Sequence, residues 1–144
     1  MAFMKNVAHA RFVMGRLKTA DDLLEALTAI ATEHGVTLGR VEALGAVKKA
    51  RLAYYDQGAR EYRFFELDRP LEITGLVGNV SLKDGEPIIH AHLTLADGEG
   101  NSYGGHLAPG TIVFACEVVL QAFEGPSFVR GFDEETGLPL WEME

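Results

Sequence analysis

Only one stretch of this chain repeats its apolar residues at helical spacing. Leu23, Leu24, Leu27, Ile30 and Ala31 fall on one stripe, the pattern of a helix with one buried face. Thr19 with Asp22 three residues on reads as a capping-box-like start, and Gly35 reads as the stop. Asp21, Asp22 and Glu25 lie near the end where the helix dipole favours anions. His34 lies near the other end and reads as a helix-end residue rather than a ligand. The remainder reads as strand, over 9–17, 37–47, 51–55, 62–67, 71–81, 88–95 and 111–123. Strong turn signals, Lys83-Asp84-Gly85-Glu86-Pro87 and Asp97-Gly98-Glu99-Gly100, separate the later runs. One N-terminal helix against many hairpin-spaced strands specifies an α+β fold with a mostly antiparallel sheet.

The chain has 144 residues, 47% hydrophobic and 24% charged, which suits a single domain spanning 1–144 that buries a core without cross-links. Its single cysteine, Cys116, excludes an internal disulfide and a thiolate-rich zinc cluster. Within the run from Ile112 to Leu120 it reads as a small buried hydrophobe. No signal-peptide pattern opens the chain, and the longest apolar run, Thr111 to Phe123, carries Glu117 and is too short for a bilayer. A reducing, cytoplasmic setting is expected, with no membrane partner.

The formal net charge is −8 and the pI about 5.1. Nucleic-acid binding needs clustered Lys and Arg against phosphate. Here the basic cluster is Lys48, Lys49 and Arg51, and the stretch after Arg130 is purely acidic. The charge therefore argues against DNA binding. No Gly-Lys-Ser/Thr loop and no Gly-x-Gly-x-x-Gly is present to cradle a nucleotide.

The chemistry concentrates in three histidines. Ile89, Ala91, Leu93 and Leu95 alternate as one strand face, so His90 and His92 share the other. Their Cα atoms lie roughly 6.5–7 Å apart, a gap that two imidazoles can bridge onto one ion. His106 follows the Asp97–Gly100 turn, and an antiparallel return brings it back toward the pair. A hairpin symmetric about that turn pairs positions summing to about 197, which puts Gly105, next to His106, opposite the pair. Three neutral imidazoles with an open position suit a divalent transition metal, zinc foremost, in the manner of catalytic sites.

The run Leu71-Glu72-Ile73-Thr74-Gly75-Leu76-Val77-Gly78-Asn79-Val80, followed by Gly85-Glu86-Pro87-Ile88-Ile89-His90-Ala91-His92, resembles the middle of the plants-and-prokaryotes conserved (PPC) domain of bacterial and archaeal type. Gly100 to Gly104-Gly105-His106-Leu107, then Gly110 and Cys116-Glu117-Val118, continue the resemblance, as does Gly39 to Lys48 upstream. The resemblance implies a compact homotrimer with sites near subunit boundaries and a metal held at positions matching His90, His92 and His106. It also implies a fold similar to that of acetolactate decarboxylase, whose zinc sits on three histidines including a His-x-His. Plant members that act in DNA binding carry an AT-hook, whose Arg-Gly-Arg-Pro core is absent from this chain.

Among other polar residues, Glu117 lies between apolar neighbours, reads as partly buried, and is the candidate acid/base or histidine-orienting carboxylate. Glu72 is a weaker candidate of the same kind. Arg51, Arg63 and Arg69 each could recognise a carboxylate. Phe128, Phe132 and Trp141 read as packing or interface residues, and His9 has no motif around it. The reading is a trimeric metal-binding domain whose open metal position receives a small carbonyl or carboxylate compound. A non-catalytic module acting with DNA or the transcription machinery is the alternative, and the sequence assigns no reaction.

Overall fold

The helical stripe forms α1 (Leu23–Glu33), and its start differs from the expected one. Asp22, not Thr19, is the N-cap: its carboxylate accepts from the Glu25 backbone N–H at 3.1 Å. The other carboxylate oxygen of Asp22 accepts from Gly110 N–H at 2.6 Å, so one side chain both caps the helix and pins the turn before the last long strand. Asp22 can do both because it stands next to the sheet, whereas Thr19 bonds to the Phe114 carbonyl instead. The helix stops at His34, followed by Gly35 in the left-handed region at φ 63°. Leu23, Leu27 and Ala31 are buried on one face of the helix.

The computed structural model describes residues 1–143. Its strands are β1 (Ala8–Arg16), β2 (Gly39–Asp56), β3 (Glu61–Leu67), β4 (Leu71–Lys83), β5 (Glu86–Ala96), β6 (Ser102–Leu107), β7 (Ile112–Glu124), β8 (Arg130–Phe132) and β9 (Pro139–Trp141). All ladder pairs are antiparallel, in the order β1-β7-β2-β4-β5-β6, with β3 also on β2. The α+β expectation holds. Two expected strands, 37–47 and 51–55, are one continuous β2. Lys48 and Lys49 remain exposed within it, where its register to β7 shifts between Val47 and Lys49. The second half of β2 pairs with β3 and also with β6, through Leu52↔Leu107 and Ala53↔His106. The path β2-β4-β5-β6 thus closes back on β2.

The two turn signals behave as hairpins. Asp84 and Gly85 take φ 52° and 79°, the left-handed pair of a two-residue turn, and Lys83 pairs with Glu86. Alternation sorts the sheet into two faces. Val41, Ala43, Leu76, Ala91, Leu93, Leu95, Val118 and Leu120 face α1 and form the core. Cys116 joins them at 2% exposure, as expected, and burial pushes its thiol up to about 11. The opposite face carries the histidines. Among the described residues no helix is long and apolar enough to cross a membrane.

The short β8–β9 pair lies against the end of β4. Leu82 N–H donates to the Phe128 carbonyl at 3.0 Å, and Trp141 packs edge-on against Phe128 at 5.1 Å. Trp141 Nε1 also donates to the fully buried Ser81 hydroxyl at 3.0 Å. These two aromatics pack as expected, while Phe132 stays exposed.

Candidate metal centre

His90 and His92 project from the outer face of β5 because the inner face is taken by Ile89, Ala91, Leu93 and Leu95. The turn to β6 fixes where His106 lands. Asp97 accepts from the Glu99 and Asn101 backbone N–H groups at 2.9 and 3.0 Å, and its other oxygen holds Asn101 Nδ2 and the Tyr103 hydroxyl. These bonds, the Asn101 amide foremost, hold the Asp97 carboxyl down to about 2. The turn they close runs through Asn101, one residue longer than its sequence signal. Ala96 therefore pairs with Ser102, and His106 stands directly opposite His92. The expected register was one position off, and the true one brings the third histidine closer.

The three rings converge. Their centroids are 5.0 Å (His90–His92), 5.0 Å (His90–His106) and 5.5 Å (His92–His106) apart. One ligand nitrogen from each lies within 4.8 Å of the others. The Nε2 atoms of His90 and His92 face each other at 3.2 Å. Two nitrogens at zinc-bond length in a tetrahedral site are about 3.3 Å apart, so this pair already has the spacing a metal requires. The donor set, three imidazoles and no carboxylate, fits zinc or a neighbouring transition metal with a position left open.

Burial is the main reason His90 is held near 4, well below its ordinary value, with His106, Arg130 and His92 adding to the effect. His106 is lowered too, first by burial and then by His92 and Arg130. Both rings are therefore neutral at pH 7, the state in which imidazole binds metal. Between about pH 6.5 and 4 the unfolded chain takes up a proton at His90 that the folded chain refuses. This contribution to stability is whole above 6.5 and is lost as pH falls toward 4. Urea titrations of metal-free wild type and His90→Gln are expected to show the wild type losing more stability across that window. Parallel curves would contradict the shift.

The cluster has polar neighbours. Tyr62 on β3 stacks on His106 at 5.0 Å. Asn79 on β4 sits opposite His90. Arg130 on β8 donates to Asn79 Oδ1 at 3.0 Å, to the Ser81 hydroxyl at 3.2 Å and to the Pro139 carbonyl at 2.9 Å.

The other sequence candidates lie elsewhere. Glu117 is exposed rather than partly buried, because the apolar run around it alternates, with Val113, Cys116, Val118 and Leu120 turned inward. It stands on β7, three strands from β5, roughly 14 Å at ordinary strand spacing. Within one chain the fold does not bring it to the histidines. Glu72 is exposed on β4, opposite Ala96 at the far end of the β5 ladder from Asn79 and His90. Arg51 stacks on Phe64 at 4.1 Å, Arg63 pairs with Asp56, and Arg69 lies over Tyr103 at 4.7 Å. The arginine near the cluster is Arg130, which is none of these three. Its local signal is only its place after the last long strand, among the aromatic residues Phe128, Phe132 and Trp141.

A mostly antiparallel sheet with one helix on its inner face and three histidines gathered on its outer face defines a small α+β protein with a candidate metal site. The chain belongs to the family of the Plants and Prokaryotes Conserved (PCC) domain, whose model matches residues 4–124. A metal-containing protein of Archaeoglobus fulgidus is 41% identical, with a TM-score of 0.90 over 96% of this chain and 97% of its own. A plant- and prokaryote-conserved protein of Pyrococcus horikoshii is 32% identical, with a TM-score of 0.89 over 99% and 96%. Among curated proteins, the bifunctional protein GlmU of a Synechococcus strain is 35% identical over 124 residues. That match takes in 85% of this chain and 18% of the GlmU chain, so this chain spans less than a fifth of that relative's length. The acetolactate decarboxylase of Bacillus subtilis, at 14% identity and a TM-score of 0.55 over 86% of this chain and 57% of its own, shares the fold alone. Structures from Bacteroides thetaiotaomicron and Ralstonia eutropha carry provisional DNA-binding names. At 20% and 24% identity they too show the fold alone.

Proposed function

We propose that this chain is a single-domain, cytoplasmic metal-binding protein in which His90, His92 and His106 hold one divalent transition metal, zinc first, with a position open to a small carbonyl or carboxylate compound. The observation that carries this is the convergence of three imidazoles on one point of the outer face, all within 4.8 Å. The metal-containing relative from Archaeoglobus supports it. A metal so held would supply Lewis-acid polarisation of a carbonyl, or an activated water. The histidines would fix it, and Tyr62 and Arg130 would border the ligand. Elemental analysis of untagged protein, beside the triple His→Ala variant, tests the reading.

The outer face supports the homotrimer. Phe12, Met14, Leu44 and Val77 share it at 56–75% exposure, an apolar sheet surface of the kind that copies of a chain cover. Sedimentation equilibrium is expected to give three chain masses for wild type and one for a Leu44→Lys/Val77→Lys variant. A wild type that sediments as a single chain ends this part of the reading.

The competing reading, a module that binds DNA, would need a coherent basic surface and salt-sensitive binding in a gel-shift assay. The net charge of −8 works against it, and Arg51, from the basic cluster, is occupied with Phe64 and the Pro109 carbonyl.

A further inference from the structure

Three neutral imidazoles bring no negative charge to an ion, so a divalent metal held by them keeps its full charge. To this the fold adds Arg130, carried to the histidines from outside the sheet on β8. Asn79, which pairs across from His90, holds one terminal nitrogen of the guanidinium. Ser81 holds Nε, and the Pro139 carbonyl holds the other terminal nitrogen. Trp141 lies under the group at 5.3 Å. Arg130 is therefore fixed in place, half-buried, and takes part in neither ion pair found among the described residues. Among the described residues the half-buried guanidinium has no carboxylate partner and the cluster beside it holds none, which leaves positive charge uncompensated. Each terminal nitrogen has two N–H groups and spends one, so donors remain.

We propose that Arg130 is the anion-recognition residue of the histidine centre, and that the centre takes a small carboxylate, shared between the open metal position and the guanidinium. This rests on the metal reading above. A carboxylate is favoured over a phosphate because phosphate sites gather several cations, a helix N-terminus or a nest of backbone N–H groups. Here one arginine serves, and the start of α1 is occupied by Asp22.

Arg130 also ties the β8–β9 pair to β4, so its role as a strut must be separated from recognition. The experiment uses wild type, Arg130→Gln and Arg130→Lys, with thermal melting to confirm folding and calorimetry to measure zinc uptake. Zinc-loaded proteins are then titrated with pyruvate and, separately, with inorganic phosphate. The three proteins are expected to take up zinc alike. Pyruvate is expected to bind Arg130→Gln at least tenfold more weakly than wild type, and Arg130→Lys between the two, because lysine keeps the charge and loses the fork. If Arg130→Gln does not fold, the Arg130→Lys comparison decides. Equal pyruvate affinity at equal zinc occupancy, or phosphate bound more tightly than pyruvate, overturns this inference and leaves the metal reading standing. No zinc uptake by wild type removes both.

Discussion

Untagged wild-type protein is expected to carry close to one metal ion per chain, and the His90→Ala/His92→Ala/His106→Ala variant none. Loss of a group that merely orients a metal ligand typically costs 10- to 100-fold in affinity. Loss of a ligand from a set of three should therefore cost more, about 100-fold or beyond for His92→Ala alone. His92 is the cleanest single site, since its side chain is exposed on the outer face and supports no core contact. Its removal should leave the melting temperature of the metal-free protein nearly unchanged. Plasma emission on dialysed protein reads the stoichiometry, and a competition titration with a chromophoric chelator reads the affinity. Wild type that takes up no zinc, iron or nickel under these conditions would sink the metal reading.

Gly45→Ala is expected to be the most damaging single methyl group that can be added to the sheet. Gly45 sits on β2 at φ 147°, where the β2–β4 register shifts between Ala43 and Gly45. A Cβ there would lie 2.0 Å from the Ala115 carbonyl oxygen and 2.8 Å from the Cys116 Cα. Neither contact is with a flexible side-chain end. β2 is hydrogen-bonded to β4 on one side and β7 on the other, so it cannot step away. The expected cost is about 3 kcal/mol or more, roughly 10 °C in melting temperature for a chain of this size. Gly75→Ala is the control: an added Cβ meets nothing within 4 Å, and its effect should stay under about 1 kcal/mol. Thermal and urea unfolding of the three proteins checks this, and a Gly45→Ala protein as stable as Gly75→Ala would refute the close approach.

Local spacing carried much of this architecture. The stripe from Leu23 to Ala31 specified α1, and the alternation around His90 and His92 put both on one face without knowledge of the partner strands. What failed depended on groups distant in sequence. The β5–β6 register needed the Asp97 carboxylate, whose bonds to Asn101 and Tyr103 lengthen the turn by one residue. β6 carries no strand signal of its own, because Ser102 to Leu107 holds two glycines and little alternation. It is a strand because β5 and β2 both pair with it. Glu117 is exposed where partial burial is expected, since an apolar run can be buried on two faces or on one, and within this chain only one face of β7 is covered. Arg130 reaches Asn79 across 51 residues, and no local pattern reports such a contact.

The long strand β2 has a consequence for how the chain is made. It waits on partners that all follow it in sequence, the last of them β7, which ends at Glu124. Pairings this far apart place the fold among slow, non-local folders, in the millisecond-to-second range. Synthesis at about 5–20 residues per second adds a delay of several seconds between the emergence of β2 and that of β7. Through that interval an eighteen-residue strand rich in Val, Ala and Leu lacks β7 along one edge, even after β3 and β4 have emerged to pair with it. The vulnerable moment for aggregation therefore falls during translation, when shielding by a chaperone would count most, rather than in the finished protein.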